Sequence, residues 1–531
     1  MAARFWVIGG TGNWNSTTNW SATTGGASGA SVPSTTDTAA FDASSGSGTA
    51  TLDISPTVQT LTMTGFTGTL AFGTNTISLN STGTIFTGAT TMTVTGTPQI
   101  ICTNSSATSR TITPTAVTEA NSISFRVTAG TGGLTISNNS VFRDLDFTDG
   151  TNPTGYAGLL GNPILTIYGN FKASTGMTKT AGTGTFTFAA TSGTKTINTA
   201  GVTFDNPFTF NGVGGTWQLQ AALTSGATRT CTLSAGTLDL NNYTLTTGLF
   251  SSSTTSTRVL AFGTGNITIT GVSGIVFVGP TSGNTGLTTT GTAQVNITGN
   301  GTTTRTIRPG NPTAITGFIS FTISAGSDTI NSTAGMTFNS LTFTSGFTGT
   351  FSGFGGFALN LFGNLTLDAN TNLAAGASIL TFNGTGSRTI TTAGKTFDFP
   401  VTFDGVGGTF ALQDALTLGA TQPLTMTNGT LQLKAGTTNT VGSFVTTGTT
   451  LKYLQSTTPG TQATISDASG TDTVTYLSIQ DSNATGGAVW DANDATNVDA
   501  GNNTGWFFAP TPSVSNEITM RLRSFTQPRR F

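Results

Sequence analysis

The sequence predicts an all-β fold, an elongated parallel β-solenoid of two tandem units of about 195 residues with a cap at each end. Three observations carry this expectation. The chain contains a second copy of one of its own segments: residues 197–240 recur at 390–433, shifted by 193 positions without a gap, with 28 identities in 44 positions. Duplication of so long a block suits an architecture that grows by stacking units, whereas a single catalytic centre needs only one copy. The composition fits a pleated sheet: threonine is the commonest residue, 71 glycines follow, 36 phenylalanines are spread in regular alternation, and charged residues make up only 8%. Finally, a short grammar repeats. GTLAFGTNTISLN at 68–80 returns as GTLDLNNYTLTTG at 236–248 and GTLQLKAGTTNTV at 429–441. Short strands alternate apolar residues with Thr, and Gly or Asn punctuates them. A string of β-sandwich domains is the alternative; the duplication and the lack of long connections favour the solenoid.

Residues 1–55 read as an N-terminal cap, because Trp6, Trp14 and Trp20 concentrate there. A stacked fold needs large aromatics at its ends, where the first and last layers would otherwise expose apolar faces. Residues 56–253 and 254–450 are the two solenoid units. Trp217 of the first is matched by Phe410 of the second, and Gly212-Val213-Gly214-Gly215 by Gly405-Val406-Gly407-Gly408. These glycine-rich tetrapeptides lack the Lys and the strand-helix context of a phosphate loop and read as turns. Residues 451–509 form a C-terminal cap module with Trp490 and Trp506. After Pro510 and Pro512 the chain changes character, and residues 510–531 read as an extended docking arm. Ile518, Met520 and Leu522 alternate there with Arg521 and Arg523, and Arg529 and Arg530 follow. Extended, such a segment puts apolar groups on one face and can add as a strand to the edge of another sheet.

Several function classes are excluded or unsupported by composition. Histidine is absent, which removes Ser-His-Asp and Cys-His nucleophilic mechanisms. A net charge of −2 gives no electrostatic case for nucleic acid or an anionic membrane. No run of about 18 apolar residues is present to span a bilayer, and the first residues lack the apolar core of a signal peptide. Cys102 and Cys231 sit in strand-like runs and read as small buried hydrophobes.

Two places hold clustered carboxylates. Asp144 and Asp146, in Arg143-Asp144-Leu145-Asp146-Phe147-Thr148-Asp149, share a strand face about 7 Å apart, within the range of the two acids of a glycoside hydrolase. The aligned segment of the second unit, Asn339-Ser340-Leu341-Thr342-Phe343, keeps Leu and Phe but has no acid, so a solvated strand face is the favoured reading and no catalytic residue is assigned. Asp491, Asn493, Asp494 and Asp499 resemble oxygen-rich Ca²⁺ loops in composition without EF-hand spacing, and Asx-turns account for them equally well. Calcium is the one cofactor the sequence raises.

Both ends carry a resemblance. Gly12-Asn13-Trp14, Asn19-Trp20-Ser21, Val32-Pro33 and Asp37-Thr38-Ala39-Ala40-Phe41-Asp42 resemble the opening of autotransporter-associated β-strand repeats and of many tailed-phage structural proteins. Asp481 to Trp490, continuing through Asn497, Asp499 and Gly501-Asn502-Asn503-Thr504-Gly505-Trp506, resembles a module that closes β-solenoid proteins of phages and environmental bacteria. Together these cover about a sixth of the chain. The resemblance implies a non-enzymatic virion structural and adhesive protein: a fibre, spike or capsid decoration, homotrimeric, exposed on the particle surface. Its partners would be other virion proteins and host surface glycans. A bacterial surface adhesin and a tailspike depolymerase are the alternatives.

Overall fold

The computed structural model describes residues 2–115, 118–147, 164–175, 177, 182–280, 286–310, 315–353 and 357–509. The chain winds as a parallel β-solenoid of about 19 turns, and the stacked strands do not close into a barrel. Each coil contributes short strands that pair in parallel with the coils before and after it. One ladder runs Ala39–Leu61–Phe86–Ile112–Ile136, with in-register partners 22 to 26 residues apart and every member buried.

The alternation explains why these residues stack. Successive side chains point to opposite faces of a strand, so one residue in two enters the core. Stacking coils places each apolar residue on its counterpart. The ladder Ile77–Ile100–Phe125–Leu145–Phe171–Ile197–Leu219 is fully buried along its length. Burying each such side chain contributes about 1.5–3 kcal/mol, and the stack repeats that gain at every turn. The second unit has the equivalent ladder Phe321–Leu341–Leu365–Ile390–Leu412, also buried.

The two glycine-rich tetrapeptides occupy equivalent places, but each lies inside a strand and not between strands. Phe208–Leu219 and Val401–Leu412 are both twelve residues long and share nearly one burial pattern. Asn211 pairs with Ala235 and Thr216 with Thr237, so residues 212–215 bulge out opposite the single residue Gly236. Asp404–Asn428 and Thr409–Thr430 bracket residues 405–408 in the same way. Val213 and Val406 are each 68% exposed at the tips, whereas Trp217 and Phe410 are both fully buried. The glycines are needed for close approach: a Cβ on Gly405 or Gly408 would collide with the Gly384 carbonyl of the preceding coil. The expected turn is therefore a bulged corner that pairs on both sides.

The N-terminal tryptophans pack as expected. Trp6, Trp14 and Trp20 are fully buried, with Trp14–Trp20 and Trp6–Trp20 ring centroids 4.9 and 5.4 Å apart in edge contacts. Phe41 sits 5.7 Å from Trp20 and 5.1 Å from Phe66, which joins the cluster to the following coil. The residues that carry the N-terminal resemblance have structural tasks: Asn19 donates to the Asn13 carbonyl at 2.7 Å, and Asp42 caps the 3₁₀ turn Ala43–Ser45. At the other end Trp490 is buried and Trp506 only partly so, 5.0 Å apart. Asn497 and Asn503 hold the last coils together: their amides donate to the Val474 and Ile479 carbonyls, and their Oδ1 atoms accept from Leu477 and Ser482 N–H.

Among the described residues, three arginines lie wholly inside this lightly charged chain: Arg110, Arg258 and Arg305. Each guanidinium reaches backbone carbonyls of the chain around it: Arg110 those of Ala129 and Gly132, Arg258 that of Thr254, Arg305 those of Gly299 and Ala325. Five donors in one plane satisfy several turn carbonyls at once, which lysine's single ammonium does less well. Cys102 and Cys231 are buried free thiols, and burial pushes the Cys102 thiol up to about 12.

Candidate functional site

A polar trough of about 500 Å³ runs up one flank of the first unit. It is built directly on the buried ladder Ile77–Leu219, because the residues on either side of each ladder member face outward. The following positions stack in register as Arg126–Asp146–Lys172–Asn198. The preceding positions bring Ser124, Asp144, Asn170 and Thr196 beside them. Gln99 closes one end and Gln220 the other. A second depression of about 300 Å³ shares Gln99, Ser124 and Asp144 with the trough and extends it toward the N-terminal coils.

Asp144 and Asp146, singled out in the sequence, both line this trough. They flank Leu145, whose side chain is fully buried, so both carboxylates face outward. A bulge shapes the strand Ser140–Asp146 here: Arg143 and Asp144 together stand opposite Ser124 alone. Asp144 Oδ2 accepts from Ser124 Oγ at 2.7 Å, and its Oδ1 accepts from the Asn170 backbone N–H at 2.6 Å and side-chain amide at 3.1 Å. Asp146 Oδ2 lies 3.8 Å from Arg126 Nε. Asp144 is thus engaged as an acceptor at both oxygens, whereas Asp146 makes a looser ion pair; glycoside hydrolysis would need one of the two to donate a proton to the leaving oxygen. Asp149 lies outside the described residues.

The neighbouring asparagine continues the network. Asn170 Oδ1 accepts from Thr196 N–H at 2.9 Å and from Thr196 Oγ1 at 3.0 Å. The second unit repeats this framework: Ser340 Oγ accepts from Asn364 N–H at 3.0 Å, and Asn364 Oδ1 accepts from Thr389 N–H at 2.9 Å. The outer ladder differs. Where the first unit has Arg126–Asp146–Lys172–Asn198, the second has Thr322–Thr342–Thr366–Thr391 in the same register. Four threonines therefore suffice for stacking, and the charges of the first unit have no structural necessity.

Arg126, Asn170, Lys172, Asn198, Gln99 and Gln220 were not singled out in the sequence. The detectable signal was a position-by-position comparison of the two units carried upstream of residue 197, which sets a charged ladder against a threonine ladder.

The calcium candidates occupy separate local turns. Asp491 Oδ1 accepts from Asn493 N–H at 3.0 Å, Asp494 from Thr496 N–H at 2.8 Å, and Asp499 from Gly501 N–H at 3.0 Å. These are Asx-turns, each closing on the residue two positions on. Hydrogen bonds from the Thr496 hydroxyl and N–H hold the Asp494 carboxyl below its ordinary pKa. Among the described residues no three His, Cys, Asp or Glu side chains cluster to hold a metal. The arm residues Ile518, Met520, Arg521, Leu522, Arg523, Arg529 and Arg530 lie outside the described residues.

Comparisons of the chain with protein-family models, with curated proteins and with solved structures gave no match.

Proposed function

We propose that this chain is a non-enzymatic structural and adhesive protein of a tailed-phage virion: a homotrimeric fibre, spike or capsid decoration that makes contacts at the particle surface. The observation that carries the adhesive part is the outward flank of the stack, where Thr, Asn, Gln and a few charges repeat from coil to coil above a buried apolar ladder. Such a face suits weak contacts repeated many times, in which avidity replaces single-site affinity. The engagement of both Asp144 oxygens by Ser124 and Asn170 supports a structural role for that carboxylate over an acid-catalytic one. The terminal resemblance, shared by phage and bacterial β-solenoid proteins, supports a surface protein, and the arm, residues 510–531, would supply the anchor of a virion protein.

Three measurements test the reading. Antibody to this chain should label intact particles in electron micrographs, and labelling confined to bacterial cells would favour the adhesin. Truncation after Pro512 should leave a folded protein that fails to incorporate into particles. Host polysaccharide incubated with the protein should release no reducing sugar. Release that disappears in the Asp144→Asn, Asp146→Asn double variant would establish a depolymerase.

A further inference from the structure

We propose that the trough on the first unit is a binding site for a neutral, hydroxyl-rich linear oligosaccharide, and that the corresponding flank of the second unit is not. This deepens the adhesive reading above and rests on it.

The first support is the shape. The trough is lined from Gln99 to Gln220, five coil steps along the stack. With neighbouring strands about 4.8 Å apart, it is about 24 Å long. One coil step is close to the length of one pyranose ring in an extended glycan, so a chain lying along the stack meets a similar environment at each sugar.

The second support is the chemistry of the lining. Arg126 and Lys172 donate, Asp146 accepts, and the amides of Gln99, Asn198 and Gln220 can do both, while Asp144 and Asn170 form the framework beneath them. Among the described residues the charges cancel, two cations against two carboxylates, so these side chains present no net field to draw in a polyanion. Donors and acceptors interleaved at coil spacing match a group that is itself donor and acceptor, and a sugar hydroxyl is that group. Among the described residues no aromatic side chain lies open in the trough, Phe125 being fully buried, so none of them stacks on a sugar ring and each site is weak alone.

The third support is the internal control. The asparagine framework is kept in both units, through Asn170 and Asn364, while the four outer positions change from Arg, Asp, Lys and Asn to four threonines. Two units with one backbone and one hydrogen-bond framework differ in the side chains that would touch a ligand.

The second unit also supplies the variant for the test. Arg126→Thr, Asp146→Thr, Lys172→Thr and Asn198→Thr together install in the first unit a ladder that already folds in the second. Wild type and variant are compared on an array of immobilised cellohexaose, maltohexaose, xylohexaose and mannohexaose, with hexagalacturonate as the acidic arm. Far-UV circular dichroism and thermal melting check that both proteins fold alike. The expected result is binding of wild type to at least one neutral hexasaccharide and a loss of roughly tenfold or more in the variant. The reciprocal variant, Thr322→Arg, Thr342→Asp, Thr366→Lys and Thr391→Asn, should gain binding to the same sugar. If the four-threonine variant binds like wild type, this trough is not the site, although adhesion itself stands. Binding restricted to hexagalacturonate overturns the ligand class. Wild type that binds no sugar on the array overturns the trough proposal and the adhesive reading with it, and leaves the particle location to the labelling experiment.

Discussion

Replacing Asp328 by alanine should open the solenoid locally, with an effect large enough to measure coil by coil. Arg305 and Asp328 are both fully withdrawn from solvent as side chains, and they meet in a two-pronged pair, Nε to Oδ2 and Nη2 to Oδ1, each at 2.7 Å. Removing one partner of a buried pair leaves the other charge uncompensated, at a cost of about 3–5 kcal/mol. The first unit sets where in that range the value falls. Arg110 is the counterpart of Arg305, and Gly132 stands where Asp328 does, yet Arg110 is held by the Ala129 and Gly132 carbonyls at 2.8 and 3.1 Å. Arg305 likewise keeps the Gly299 and Ala325 carbonyls at 2.6 and 2.7 Å. The loss should therefore fall near about 3 kcal/mol, the lower end of the range for breaking a buried pair. In a stacked fold each coil contacts only its neighbours, so the opening stays local. Hydrogen exchange read by mass spectrometry should show protection of the strands Arg305–Arg308 and Thr329–Asn331 falling by roughly 100-fold, with distant coils unchanged. Adding Arg305→Met to Asp328→Ala should restore most of the protection, because the stranded charge is gone. Protection in Asp328→Ala within about twofold of wild type would mean that carbonyls alone satisfy the guanidinium, and the ion pair would then carry no stability.

Three further outcomes follow from the structure. Burial, with Asp467 beside it, pushes the Asp472 carboxyl up to about 6 against the lowering effect of the Phe444 N–H that it accepts at 2.7 Å. A raised folded pKa means stability present below the ordinary value near 4 and lost as pH climbs through about 6. The C-terminal cap should thus weaken by at most about 3 kcal/mol between pH 4 and 7, and Asp472→Asn should remove that slope in pH-dependent melting; a wild-type cap that strengthens over the same interval contradicts the assignment. Trp14→Ala should cost about 3–5 kcal/mol and promote fraying or aggregation from the N-terminal end, and unchanged solubility and thermal stability would count against a capping role. In denaturant titration Gly405→Ala should cost about 1–3 kcal/mol, because its Cβ meets the Gly384 carbonyl, while Val406→Ser at the exposed tip should be neutral.

The solenoid could be read from the sequence because its signals are local and repeated. Thr alternating with Leu, Ile or Phe sets the inside and outside of each strand, as at Ile77, Ser78 and Leu79, and the duplication showed that such strands stack. The caps were legible for a similar reason: tryptophan is rare in the body and crowded at the ends. The corner at residues 212–215 was misread as a turn because glycine signals a tight backbone without saying whether pairing resumes beyond it. The trough was half legible. Asp144 and Asp146 stand two apart on one strand, but Arg126, Lys172 and Asn198 join them only across coils of unequal length, with a bulge shifting the register at Arg143 and Asp144. The buried arginines were hidden for a different reason. An arginine at the start of a strand reads as solvated, and only folding brings turn carbonyls around it.

Ala2–Trp6 pairs in parallel with the next coil on one side and antiparallel with the two residues Trp20–Ser21 on the other. Every coil in a parallel stack offers the same template to whatever lies above it, so an uncovered terminal coil would accept the start of another molecule as readily as its own neighbour. The chain turns back on itself at this end, and what it presents there is a very short strand running the opposite way. Such an edge is a poor template for continued growth. The reversal thus leaves this sheet without a parallel edge at that end for a further strand to extend.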